Sequence, residues 1–130
     1  MSATLPQALC VMAGAAAGAL LRWFAGLWLN TLWMAFPLGT LTVNAIGGLG
    51  IGVALAWFTQ RPEQELLRLL LVTGVLGGFT TFSAFSAESL SLLQRGAGWT
   101  ALAHTLAHVL GSLACAALGW MFGQTLFSPR

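Results

Sequence analysis

Thr73-Gly74-Val75-Leu76-Gly77-Gly78-Phe79-Thr80-Thr81-Phe82-Ser83-Ala84-Phe85-Ser86-Ala87-Glu88 places paired glycines and paired threonines inside an apolar run that extends from Leu66 to about Leu93. A run of that length can cross a bilayer, which needs about 20 residues at helical rise. Glycine weakens an α-helix through backbone entropy and threonine through its branched Cβ. At membrane depth, backbone that is not helical persists only where protein buries it or where it lines a wet cavity. The stretch therefore predicts a transmembrane helix broken near residues 77–81. The alternative is a helix merely kinked, with water at the kink. A break frees backbone carbonyls, and a group of such oxygens can cage a bare cation.

Three further apolar runs flank this one, giving approximate spans 6–27, 38–58, 66–95 and 100–126 in a single domain of 130 residues. The fold class expected is an all-α membrane protein of four transmembrane helices. Composition agrees: 58% of residues are hydrophobic and 6% charged, against about 25% charged in a soluble domain. There is no lysine, so a P-loop is excluded, and the three glutamates give little scope for paired-carboxylate catalysis. An enzyme is not expected. Nor is a nucleic-acid partner, because the net charge of +2 comes from scattered arginines.

Trp28, Trp33, Trp57, Trp99 and Trp120 fall at or near the span ends, where indoles favour the headgroup level of the lipid bilayer. Four glycine pairs have small-xxx-small spacing: Gly14 with Gly18, Gly48 with Gly52, Gly74 with Gly78, and Gly119 with Gly123. Cys10 and Cys115 lie in apolar stretches and are read as small hydrophobes rather than a disulfide. With four spans, Arg61, Arg68 and Arg130 share one side, and Arg22 and Arg95 the other. That near-balance gives the positive-inside rule no orientation to choose. A chain that inserts both ways can form an antiparallel, dual-topology homodimer.

The polar groups inside the spans are few. Thr40 and Asn44 share a helix face, and an amide buried without a partner costs several kcal/mol, so Asn44 must meet another helix, water or a ligand. Phe82 and Phe85 share a face beyond the break, either as core or with their positive ring edges toward an anion. Ser83 makes that half-helix more polar than a lipid-facing one. Glu88 either snorkels toward the interface near Arg95 or is functional, as intramembrane acids usually are. His104, His108 and Ser112 recur every four residues as a polar stripe, read as a path or as helix-helix hydrogen bonds. A metal on the two histidines is not expected, since no third ligand is near them in sequence.

Gly39-Thr40-Leu41-Thr42-Val43-Asn44 followed by Gly47-Gly48, together with the string from Gly77 to Glu88, resembles the Fluc (CrcB) family of microbial fluoride channels. The resemblance extends over nearly the whole chain, through Gly14, Gly18 and Arg22 to Gly111-Ser112. It implies a multi-pass protein of the cell inner membrane that exports fluoride passively, built as an antiparallel homodimer with a structural sodium ion at its centre. On the same basis Asn44, Phe82 and Phe85 would line the fluoride pathway, with Thr40, Ser83, Glu88 and Ser112 on its polar side; the polar stripe of the fourth span adds His108. Gly77 and Thr80 would offer carbonyls to sodium, and Arg22 matches the first-helix arginine. Ala84, Ala116, His104 and His108 depart from the usual pattern. The alternative is a small proton-coupled exporter of the small multidrug resistance type, although the first helix here carries Arg22 where such a transporter has its acid.

Overall fold

Thr4 and Pro6 begin the first helix. The Thr4 N–H, which no turn before it could satisfy, donates to Gln7 Oε1 at 2.8 Å, and a proline is tolerated in a first turn. In this computed structural model, which describes residues 4–31 and 36–127, α1 runs Leu5–Leu29 and α2 Leu38–Phe58. The third span is composite. It comprises α3 Glu65–Arg68, a π-helical stretch Leu69–Leu76, α4 Gly77–Phe79 and, after an interruption, α5 Phe82–Gln94. Helix α6, Gly98–Phe127, closes the bundle. Trp33 and Arg130 lie outside the described residues.

Four segments, Leu5–Leu29, Leu38–Phe58, Glu65–Gln94 and Gly98–Phe127, are long and apolar enough to cross a membrane. Their outward faces carry Leu9, Leu20, Trp23, Leu113 and Phe122, all exposed. A water-soluble bundle turns such side chains inward; a bundle whose solvent is lipid need not. The protein is a multi-pass membrane protein.

What holds the helices together is small residues, not a large apolar core. Helix α1 packs along the π-helical stretch and α4, and α2 packs along α6. All four glycine pairs lie at these contacts. A Cβ on Gly14 would fall 2.9 Å from the Gly74 Cα, one on Gly78 2.5 Å from the Ala15 carbonyl oxygen, and one on Gly48 2.6 Å from that of Ser112. Gly18, Gly52, Gly119 and Gly123 meet Val75, Ala116, Leu49 and Ala56 in the same way. Lipid tails are as apolar as leucine, so helices in a bilayer gain little from hydrophobic burial and much from close backbone approach. Gly52→Val, whose Cβ would lie 2.6 Å from the Trp120 backbone nitrogen, is therefore expected to cost about 1–3 kcal/mol and to lower folded yield in size-exclusion profiles. Gly111→Ala, with nothing within 4 Å of its Cβ, should leave them unchanged.

The span ends differ slightly from the sequence expectation, with α1 reaching Leu29 and α6 starting at Gly98. Helix α5 stops at a Schellman turn: Gly96 has φ +71°, its N–H bonds to the Leu93 carbonyl, and the Ala97 N–H bonds to that of Leu92. In the α2–α3 link, the Arg61 guanidinium stacks 3.6 Å over Trp57, whose Nε1 donates to Gln64. Cys10 and Cys115 are free thiols.

Candidate functional site

The interruption of the third span is two residues long. Thr80 has φ −81°, ψ 158° and Thr81 φ −151°, ψ 121°, both extended. It is narrower than the expected 77–81, because Gly77–Phe79 still complete a turn in which the Leu76 carbonyl accepts both the N–H and the hydroxyl of Thr80. In an unbroken helix the Thr81 N–H would reach the Gly77 carbonyl and the Ala84 N–H that of Thr80. Here the first donates to Asn44 Oδ1 at 2.8 Å and the second to Thr81 Oγ1 at 3.2 Å. Thr81 is thus the N-cap of α5, a placement for which threonine is suited. The Gly78 carbonyl accepts from Arg22 Nε at 3.0 Å.

Asn44 holds the break like a bracket. Its Oδ1 accepts from the Thr81 N–H while its Nδ2 donates to the Thr81 carbonyl at 3.0 Å. This pairing fixes which end of the amide is oxygen. The remaining amide hydrogen points to His108 Nδ1, 3.2 Å away, so Nδ1 is the acceptor and the neutral ring carries its proton on Nε2. The sequence required Asn44 to meet another helix, water or a ligand; in the protomer both amide hydrogens are engaged, by Thr81 and by His108.

Two cavities of about 560 Å³ each lie against Thr81. One is lined by Asn44, Gly77, Thr80, Phe82, Phe85, His108 and Ser112. The other is lined by Arg22, Asn30, Thr40 and Glu88. Thr81 borders both.

Glu88 does not snorkel to Arg95, whose Nε instead bonds to the Ser91 carbonyl. It turns into the bundle, where Oε1 accepts from Thr40 Oγ1 at 2.5 Å and Oε2 lies 3.3 Å from His104 Nε2, within ion-pair range but without hydrogen-bond alignment. His104, placed by sequence at the polar stripe's outer end, is 0% exposed, and its Nδ1 meets Ser89 Oγ at 3.0 Å. His108 is 4% exposed. The two rings lie 4.5 Å apart, and Phe85 packs on both, at 5.5 Å from His104 and 4.8 Å from His108. Phe82 touches Phe85 at 5.3 Å but is itself 77% exposed, against 8% for Phe85. Ser83 is exposed and pairs with Thr81 Oγ1; it borders neither cavity.

The family model for "CrcB-like protein, Camphor Resistance (CrcB)" matches residues 9–120. The chain belongs to the CrcB family. Similar to this CrcB chain is a protein of Aromatoleum aromaticum named fluoride-specific ion channel FluC, 54% identical over 92% of this chain and 92% of its own length. Proteins of the same name from Pseudomonas aeruginosa and Klebsiella pneumoniae are 52% and 45% identical, over 89% and 91% of this chain and 96% and 95% of their own length.

Sequence reasoning about this CrcB protein missed three contacts: Asn44 with Thr81, Arg22 with Gly78, and Glu88 with His104. It also missed the π-helical stretch, a geometry that is rare and often marks functional sites. One correction concerns the histidines. The absence of a nearby third ligand in sequence does not hold in space, because α5 brings the Glu88 carboxylate to them.

Proposed function

We propose that the protein is a fluoride-selective channel through which fluoride leaves the cell passively across the inner membrane, so conferring fluoride resistance. The observation that carries this reading is the 54% identity, over nine-tenths of both chains, to a protein named as a fluoride-specific ion channel. Fluoride is small and strongly hydrated, and a pathway must offer donors in place of its water. His108 Nε2, buried and without a protein partner, is such a donor. The Ser112 hydroxyl and the ring edges of Phe82 and Phe85 border the same cavity. Asn44 serves by keeping Thr80 and Thr81 extended and by setting the His108 tautomer. Chemistry on the anion is no part of this reading, and neither is catalysis.

The working unit is an antiparallel homodimer. An exposed Ser83 hydroxyl beside an exposed Phe82, at the broken point of a membrane span, calls for a protein cover, and a second copy supplies one. Tagging one terminus and labelling sealed vesicles is expected to find it on both faces; a tag confined to one face would contradict the dual topology.

The family's sodium fits the break. The carbonyls of Gly77 and Thr80 are among those that lose their helical donors at the break, theirs going to Asn44 and to Thr81 Oγ1, and carbonyl oxygen is the ligand a hard cation takes. Two copies meeting at their breaks would each contribute these two oxygens. The ion, when bound, would supply positive charge at the centre of the dimer.

Growth tests the reading in cells. A bacterial strain lacking its own fluoride export should regain growth in fluoride when it makes this protein. A folded, membrane-inserted protein that gives no protection would oppose the proposal.

A further inference from the structure

Among the described residues, four buried side-chain polar atoms lack a hydrogen bond, and three of them are Glu88 Oε2, His104 Nε2 and His108 Nε2. Glu88 Oε2 and His104 Nε2 face each other at 3.3 Å while His108 Nε2 has no partner; an unsatisfied buried polar atom costs about 1–3 kcal/mol, and one ligand shared by all three would satisfy the cluster. One ligand atom from each of these residues lies within 4.8 Å of the other two.

We infer that Glu88, His104 and His108 form a binding site for a transition-metal cation of the Zn²⁺ class, set in the wall of the proposed pathway, and that its occupation stops fluoride flux. Two imidazoles and one carboxylate suit zinc and its neighbours better than magnesium or calcium, which take oxygen. Tetrahedral zinc with bonds near 2.0 Å holds its ligand atoms about 3.3 Å apart. The His104 Nε2 to Glu88 Oε2 separation is already 3.3 Å, and the His108 ligand atom, within 4.8 Å of both, must move nearer to complete the set. Three protein ligands leave a fourth position open.

The surroundings suit such a site. Thr40 Oγ1 holds Glu88 Oε1, and Ser89 Oγ meets His104 Nδ1, the outer partners that orient metal ligands. Phe85 and Phe36 pack on the His104 ring and keep it dry. Glu88 opens on one cavity and His108 on the other, so an ion can approach.

His108 couples the site to the break. Its Nε2 carries the proton while Asn44 donates to Nδ1; coordination through Nε2 would leave the proton on Nδ1, a donor facing the donor Asn44 Nδ2 with the two nitrogens 3.2 Å apart. Asn44 must then turn, and its bond to Thr81 loosens. Metal binding would stop flux both by occupying the pathway wall and by disturbing the bracket, and this part of the inference rests on the channel reading.

The test uses purified full-length protein. Zn²⁺ is added to chelator-treated protein, and its X-ray absorption fine structure is recorded; scattering from two imidazoles is expected. Co²⁺ added in its place should give the visible bands of a four-coordinate site. In liposomes Zn²⁺ should slow fluoride efflux by at least about tenfold, with recovery on chelation, and His104→Gln should need at least about tenfold more Zn²⁺ for the same block. Metal bound through two imidazoles in a protein that passes no fluoride would uphold the site and defeat the channel reading. Metal-free protein that conducts, is indifferent to Zn²⁺ and shows no imidazole at bound metal would overturn the site. The wild-type spectra decide the matter even if His104→Gln fails to fold.

Discussion

Asn44→Asp is expected to reduce fluoride flux by about a thousandfold. A carboxylate about 4 Å from a permeating anion at an effective dielectric near 20 opposes it by about 4 kcal/mol, which is close to three powers of ten in rate. The structure adds a second cause. Asn44 Nδ2 lies 3.0 Å from the Thr81 carbonyl oxygen and 3.2 Å from His108 Nδ1, donating to both. In the aspartate an oxygen replaces that nitrogen, so it faces the carbonyl oxygen with no hydrogen between them. The Thr81 N–H keeps its acceptor while the Thr81 carbonyl loses its donor, and the bracket is half undone. Efflux from liposomes measures the loss; a variant that inserts normally and conducts at the wild-type rate would reduce Asn44 to a packing residue.

Phe82→Ile and Phe85→Ile should each slow flux by about tenfold or more, since bulk is roughly kept while a ring edge of positive potential is lost. Their effects on stability should separate. Phe82 is 77% exposed in the protomer, where its replacement removes little besides the 5.3 Å contact with Phe85. Phe85 is buried and packs on both imidazoles, contacts worth about 0.5–1.5 kcal/mol each. Within the protomer, thermal unfolding in detergent should therefore respond more to Phe85→Ile than to Phe82→Ile, whose effect falls on the contact with a second copy. Unchanged flux in both variants would return the pair to a structural role.

How much of this was legible in the sequence follows the range of the interactions. Four spans could be read because hydropathy is local, and the weak point of the third could be read because Gly77-Gly78 and Thr80-Thr81 are poor helix formers wherever they stand. The glycine pairs gave their spacing but not their partners: Gly48 meets Ser112, and Gly14 meets Gly74. The exact position of the break was not local at all. It lies at Thr80-Thr81, where Asn44, thirty-seven residues earlier, takes the Thr81 N–H. For Arg22 and Gly78 the separation is fifty-six residues. Glu88 had two readings in sequence, snorkelling near Arg95 or a functional acid within the span; in space Thr40 and His104 receive it. One signal was available in principle: an acid in mid-span, a threonine in the second span and two histidines in the fourth are each costly alone in a bilayer, and costly groups tend to be found together.

The family resemblance supplied roles for Gly77, Thr80 and Asn44 that no local rule could. The donors that an unbroken helix would bring to the Gly77 and Thr80 carbonyls are engaged elsewhere, the first by Asn44 and the second by Thr81 Oγ1.

The central claim is passive, selective passage of fluoride, and one measurement tests it most directly. Purified protein is reconstituted in liposomes loaded with potassium fluoride, valinomycin is added to carry the counter-ion, and external fluoride is followed by electrode, with chloride-loaded liposomes in parallel. The account predicts rapid fluoride efflux with no imposed proton gradient and no matching release of chloride. Efflux that appears only when a proton gradient is imposed, or chloride released as fast as fluoride, would contradict it.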